Sequence, residues 1–402
     1  MNVYCFWKCL ILSAALTVYS VSVSAQRLGP NPTQQTVVYR LANSEKVLVR
    51  KDVTYKTIGD LELKLDAYYP AEMKKDERLP LVIFINGVGN RDNFPKVRNW
   101  GQYTNWGRLV GASGFAAINY DSRLAEAEAD TSSLVEYVRA SAAKLNVDEN
   151  KILIWACSAN GRVGTKIVME ERPYISAAVF YYAVCNAPPL LREVPLFIAR
   201  AGLDNPSLNQ ALDGFAQAAI AQGLSVSFVN YPDGHHAFDL LDDTDQSREI
   251  IKQTIEFMKF HLKQKSVAQS GRAPSSGRFI ALINVLGWTK ALEIYEQAKR
   301  SDPQAPLFTE QTLNGIGYTL LQNKKTRDAV EVFKLVVASY PGSANAYDSL
   351  ADAYLEDGNK AEALKNTERA LELLEKDTSM PPQRREQIRQ SAAQKVNRLK
   401  SN

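Results

Sequence analysis

From about residue 46 to 263, short runs rich in Val, Ile, Leu and aromatic residues alternate with longer stretches whose apolar positions recur every three or four residues. Residues 47–52 and 61–69 predict an opening hairpin around Ile58, Gly59 and Asp60. Six further runs follow at 81–85, 116–120, 152–156, 177–182, 196–199 and 225–229, each bounded by turn residues. These later runs are mostly continuous in apolar character rather than alternating, as strands buried on both faces of a parallel sheet must be. Between them, 132–145 places Leu134, Val135, Val138 and Ala142 on one helical face. The stretch 208–222 is rich in Ala and Leu, and 247–262 repeats apolar residues at helical spacing. Strand and helix in alternation predict an α/β fold with a doubly wound, mostly parallel sheet of eight strands.

Near residue 264 the pattern changes. Residues 264–277 hold Ser, Gly, Ala and Pro with almost no large apolar side chain, a linker between a first domain (26–263) and a second (278–402). Beyond it no strand pattern remains, and the chain repeats itself. Ala329, Phe333 and Pro341 are matched 34 residues later by Ala363, Thr367 and Glu375, and Ile316 and Gly317 by Leu350 and Ala351. Tyr347, Tyr354 and Ala370 keep the same spacing, and Ala291, Tyr295, Ala298 and Pro303 mark an earlier, more degenerate unit. This tail resembles the tetratricopeptide-repeat family over roughly residues 276–375. The resemblance implies an all-α solenoid of about three stacked helix pairs, capped by a helix from the basic stretch 384–400 and offering a face to a protein or peptide partner. A generic helical bundle is the plainer alternative.

Composition narrows the choice. With 45% hydrophobic and 23% charged residues the chain is an ordinary globular protein of two or three domains, not collagen, a disordered tail or a polytopic membrane protein. Lys and Arg total 48 against 44 acids, and the net +4 is spread thinly, which argues against a nucleic-acid partner. Residues 1–25 carry only Lys8, then an apolar run, and end in Val23, Ser24 and Ala25. That is the form of a secretory signal peptide cleaved near Ala25, so the mature chain is expected outside the cytoplasm. The run is short and broken by Ser, so no membrane-spanning segment is expected in the mature chain. Cleavage removes Cys5 and Cys9 and leaves Cys157 and Cys185, whose pairing two cysteines alone do not decide.

The chemistry concentrates in three loops. Residues 152–161, Ile-Leu-Ile-Trp-Ala-Cys-Ser-Ala-Asn-Gly, run a buried strand into a small-residue turn and a helix. That is the context of a nucleophile elbow, where the side chains two positions either side of the tip must be small because strand and helix nearly touch. With Ser158 at the tip those neighbours are Ala156 and Asn160; with Cys157 at the tip one of them is Trp155, and an indole does not fit. Ser158 is therefore the nucleophile candidate, although Asn160 stands where a glycine is usual. A second buried run, 196–204, ends in Asp204, which a bland reading makes the N-cap of the next helix. The last strand leads into Tyr-Pro-Asp-Gly-His-His-Ala-Phe-Asp at 231–239, which holds His235 and His236, two of only three histidines. The third, His261, lies in a predicted helix and reads as a surface residue.

The order Ser, Asp, His, each just past a strand, is that of the α/β-hydrolases. Residues 46–263 resemble that superfamily, and in particular its dienelactone-hydrolase-like and small-esterase branch. The likeness rests on Asp52-Val53-Thr54-Tyr55 and 63–70 in the hairpin, on 81–89 with Asn86 where His is commoner, and on His236-Ala237-Phe238-Asp239 with Ala for the usual Gly. It assigns the base to His236, with His235 as the alternative.

The resemblance implies a serine esterase. Ser158, His236 and Asp204 would form a triad, and the amides of Val88 and Ala159 an oxyanion hole. The substrate expected is a small-molecule or glycan-linked ester, with no cofactor and no metal. Trp100, Tyr103, Trp106, Tyr181 and Tyr182 could line a substrate pocket or simply pack. The same residues would also serve a serine peptidase, or survive in an inert scaffold whose repeats do the work.

Overall fold

The computed structural model describes residues 31–91, 95–170, 172–263, 274–301, 308–376 and 381–400. The signal-peptide reading of 1–25 and the first ten residues of the expected linker lie outside them.

Eight strands form one sheet: β1 Leu48–Ile58, β2 Leu61–Tyr69, β3 Leu79–Ile85, β4 Ala116–Tyr120, β5 Val147–Cys157, β6 Ile175–Tyr181, β7 Leu196–Ala201 and β8 Val226–Tyr231. Their order is β1-β2-β4-β3-β5-β6-β7-β8. β2 is antiparallel to β1 and β4, and every other pair is parallel. Parallel neighbours need crossovers, and helices supply four of them. These are α1 Gly101–Ala112, α2 Ala127–Ala140, α3 Gly161–Met169 and α4 Pro206–Ala221. The short α5 Phe238–Leu241 and the long α6 Asp245–Lys263 follow β8.

Alternation along the central strands divides the core in two. Leu81, Ile83 and Ile85 join the cluster holding Leu134 of α2, Ile167 of α3 and Phe215 of α4. Val82, Phe84 and Trp155 join the opposite cluster, with Trp106 of α1 and Ile251 of α6.

α2 begins five residues earlier than the apolar spacing predicts and ends at Ala140 rather than 145. Its first turns bury polar groups, which a hydrophobic period does not register. Asp130 is fully buried between Lys56 and Arg123, and the Thr131 hydroxyl lies 2.6 Å from that of Tyr120.

The C-terminal region is all helical: α7 Ser276–Leu286, α8 Trp288–Ser301, α9 Glu310–Gln322, α10 Thr326–Ser339, α11 Ala344–Glu356, α12 Lys360–Lys376 and α13 Pro382–Lys400. A side chain at Gly317 of α9 would meet the Phe333 ring of α10 at 2.4 Å, so the absence of a Cβ sets how closely these two helices pack. α13 is fastened by Lys395, whose buried ammonium reaches Asp348 at 2.6 Å and Asp352 at 2.9 Å. α7 begins at Ser276, two residues inside the stretch expected as linker. Ser275 caps α7 by accepting from the Arg278 amide, and Arg278 in turn donates to the Leu191 carbonyl in the segment between β6 and β7.

Candidate active site

β5 delivers Ser158 into the left-handed region, with φ 52°, before one tight turn leads into α3. A non-glycine residue held there costs of order 1–3 kcal/mol, and the surrounding packing must enforce it. The close approach of strand and helix falls between Ala156 and Gly164, where an added Cβ would lie 2.5 Å from that of Ala156. Asn160 is not squeezed at that contact, which is why the turn tolerates it. Its side-chain amide instead donates to the Asn86 carbonyl at 2.8 Å, and its backbone N–H donates to the Gly87 carbonyl at 3.2 Å.

Those bonds tie the turn to the loop leaving β3. Asn86 donates onward to the Tyr120 carbonyl at 2.7 Å, and the Gly87 N–H donates to the Tyr103 hydroxyl at 2.7 Å. A side chain at Gly87 would stand 3.0 Å from Ser158 Cβ, so only glycine lets this loop pass so near the serine. Val88 is the next residue of the loop. Ala159 opens the turn after Ser158, where amides have no carbonyl of their own helix to bond.

Asp204 follows β7 and His236 follows β8. Their two loops are stitched by the Gly202 N–H to the Tyr231 carbonyl at 2.7 Å and the Leu203 N–H to the Gly234 carbonyl at 2.9 Å. Asp204 does not cap α4. Asn205 does, its side chain accepting from the Ser207 N–H at 2.9 Å. Asp204 Oδ2 thus lies 2.6 Å from His236 Nδ1, and His236 Nε2 lies 3.0 Å from Ser158 Oγ. His235 points elsewhere: it is mostly exposed, its ring 3.0 Å from Asp242. His261, half-buried, packs against Phe257 and Phe260 on α6.

The five aromatics singled out from the sequence are core residues, none more than 8% exposed, rather than walls of an open pocket. Two of them touch the site from beneath. Tyr103 holds the Gly87 amide, and Tyr182, at φ 36°, sets its ring 4.8 Å from that of His236. Tyr182 donates to Asp239 at 2.7 Å, and Gln102 and Trp106 donate to the other carboxylate oxygen at 3.0 and 2.8 Å. Asp239 is fully buried, and burial pushes its carboxyl pKa above the usual carboxylate range. Neither this acid cluster nor the Asn160 bonds has a sequence signal, since nothing in a linear pattern says that Gln102 meets Asp239.

Cys157 is buried beside the Tyr103 hydroxyl, and burial raises its thiol pKa well above the ordinary value, which disfavours thiolate chemistry. Cys157 and Cys185 are both free and buried. Among the described residues, no group of three or more His, Cys, Asp or Glu side chains is placed to hold a metal ion. No described helix is long and apolar enough to cross a membrane.

A mostly parallel eight-stranded sheet with an antiparallel second strand, and a strained serine where β5 turns into α3, is α/β-hydrolase-like. The family model BD-FAE matches residues 65–172, from β2 past the Ser158 turn. Similar solved structures include Thermogutta terrifontis esterase 2 phosphoramylated by tabun, at 22% identity and TM-score 0.45, which covers 55% of this chain and 97% of that one. The propionate-bound form of the same organism's Est2 matches at 21% identity and TM-score 0.46, with the same coverage. Curated proteins give no significant sequence match.

Proposed function

We propose that the chain is a serine hydrolase of carboxylic esters. One observation supports this above all: the unbroken path from Ser158 Oγ to His236 Nε2 at 3.0 Å and from His236 Nδ1 to Asp204 at 2.6 Å. Those distances suit proton transfer and imidazolium stabilisation.

In this reading Ser158 Oγ attacks the ester carbonyl carbon while His236 Nε2 takes the hydroxyl proton. Asp204 holds the ring in the required tautomer. The oxyanion forms between the amides of Val88 and Ala159, each donor contributing about 2.7–4 kcal/mol to the transition state. Collapse breaks the bond to the alkoxide, which leaves with the proton from His236. Water then cleaves the acyl-serine, with His236 again as base.

Esters are favoured over amides because the matched BD-FAE segment is an esterase-like domain and includes both the loop after β3 and Ser158. The substrate is a small-molecule or glycan-linked ester, and the helical region docks a protein or peptide partner. Secretion, with cleavage near Ala25, completes the reading. A short-chain nitrophenyl ester paired with the matching anilide tests it. Ester turnover is expected to exceed anilide turnover by orders of magnitude. Comparable anilide turnover would make the protein a peptidase, and folded protein that fails to react with a fluorophosphonate would be an inert scaffold.

A further inference from the structure

β6 ends at Tyr181, and strand alternation would send the next side chain to the opposite face of the sheet. Tyr182 does not go there. At φ 36° its backbone turns back, and its ring joins the same core cluster as Tyr181, the two centroids 5.9 Å apart. Among the described residues, six other than glycine have positive φ, and three of them, Ser158, Tyr182 and Ala237, belong to the site or adjoin it. Strain gathered in this way points to what the strained residues deliver.

What the turn at Tyr182 delivers is a ring beneath His236. The two ring centroids are 4.8 Å apart, with their planes at 57°. The phenol is held from both ends. Its hydroxyl donates to Asp239 at 2.7 Å and accepts from Gln102 at 2.6 Å, while its backbone N–H donates to the Ala199 carbonyl at 2.8 Å. Asp239 lies three residues after His236 and is fixed in turn by Gln102 and Trp106 of α1. The loop that carries the imidazole and the ring below it therefore close on one buried carboxylate.

The polar contacts of the imidazole are already taken, by Asp204 on Nδ1 and Ser158 on Nε2, and His235 is turned away to Asp242. The contact from below is aromatic, and 4.8 Å is within cation–π range. An imidazole acting as base becomes a cation only while it holds the serine proton. An attraction to that cation is stronger in the transition state than in the ground state, so it lowers the barrier rather than tightening substrate binding.

We propose that Tyr182 is a positioning residue for ester hydrolysis, holding the π system of its ring against the His236 imidazolium as it forms. This rests on His236 as the base of the proposed reaction.

Steady-state kinetics on a short-chain nitrophenyl ester tests it, with Tyr182→Phe as the reference and phenylalanines carrying one, two or three ring fluorines placed at the same position. Fluorine withdraws π density with little change in shape, so a ring that merely fills space would be indifferent to it. Both kcat and kcat/KM should fall with each fluorine, by about threefold to tenfold at the third, with KM unchanged. Tyr182→Leu, which removes the ring, should fall about tenfold below Tyr182→Phe, with circular dichroism reporting the fold. A kcat that stays flat or rises along the fluorine series, in an enzyme whose turnover is abolished by Ser158→Ala, overturns the role of Tyr182 and leaves the proposed reaction standing. Turnover that survives Ser158→Ala overturns the reaction and this inference with it.

Discussion

Asn160 Nδ2 donates to the carbonyl of Asn86 at 2.8 Å, so the residue two places after Ser158 is bonded to the residue two places before Val88. The usual elbow has glycine at this position and lacks that side-chain bond. Here the proposed nucleophile turn and the proposed oxyanion loop are held together by this buried side-chain amide as well as by the Asn160 backbone N–H on the Gly87 carbonyl.

Asn160→Ala should therefore lower kcat by about tenfold with little change in KM, since a net hydrogen bond of about 1 kcal/mol is lost and Asn86 is left short of a partner. Asn160→Asp should be worse, because it turns a donor into an acceptor facing a carbonyl. Steady-state kinetics on a short-chain ester decides this, and an unchanged kcat for Asn160→Ala would remove the clamp from the account.

The two adjacent histidines should separate cleanly. His236→Ala should cost on the order of 10⁴ in kcat, whereas His235→Ala, which loses only an exposed contact with Asp242, should stay within about threefold of wild type. Equal losses in the two variants would contradict the assignment.

Much of this arrangement was legible in the sequence, for identifiable reasons. The strands from 81 to 229 stood out because burial on both faces makes them continuously apolar, and Ser158, Asp204 and His236 because each lies just past such a strand. The first turns of α2 did not stand out, since Asp130 and Thr131 are buried through partners distant in the chain. In sequence Asp204 reads also as an N-cap, a role that Asn205 takes on α4. The supports of the site, Tyr182 under the imidazole and Gln102 and Trp106 on Asp239, depend on which helix crosses which strand end. No local pattern encodes that.

Arg98 gives a stability test. Its guanidinium is almost buried and reaches Asp66 at 2.5 Å and Asp121 at 3.1 Å, both carboxylates also buried, and Asp52 at 2.5 Å. Arg98→Met leaves two buried acids unpaired and should cost about 3–5 kcal/mol of unfolding free energy. Urea denaturation checks it, and a loss under 1 kcal/mol would mean that solvent or local rearrangement compensates those acids.

Asp239 should leave a signature in pH. Its folded pKa is raised above the ordinary value of 3.8, so over the range between the two values the folded state holds more protons than the unfolded state. The stability this group contributes is full below the ordinary value and is lost as pH rises through the raised one. Asp239→Asn has no such titration, so the difference in unfolding free energy between wild type and variant should fall with rising pH across the acid range. A pH-independent difference would mean that the bonds from Tyr182, Gln102 and Trp106 cancel the effect of burial.

The most direct test of the central claim is the turnover of a short-chain ester by Ser158→Ala, with the fold checked by circular dichroism. The hydroxyl of Ser158 is the only atom proposed to form the acyl bond, so the folded variant should fall to the background rate and take no fluorophosphonate label. Turnover near the wild-type rate, or label attached elsewhere in the chain, would show that the chemistry does not pass through Ser158.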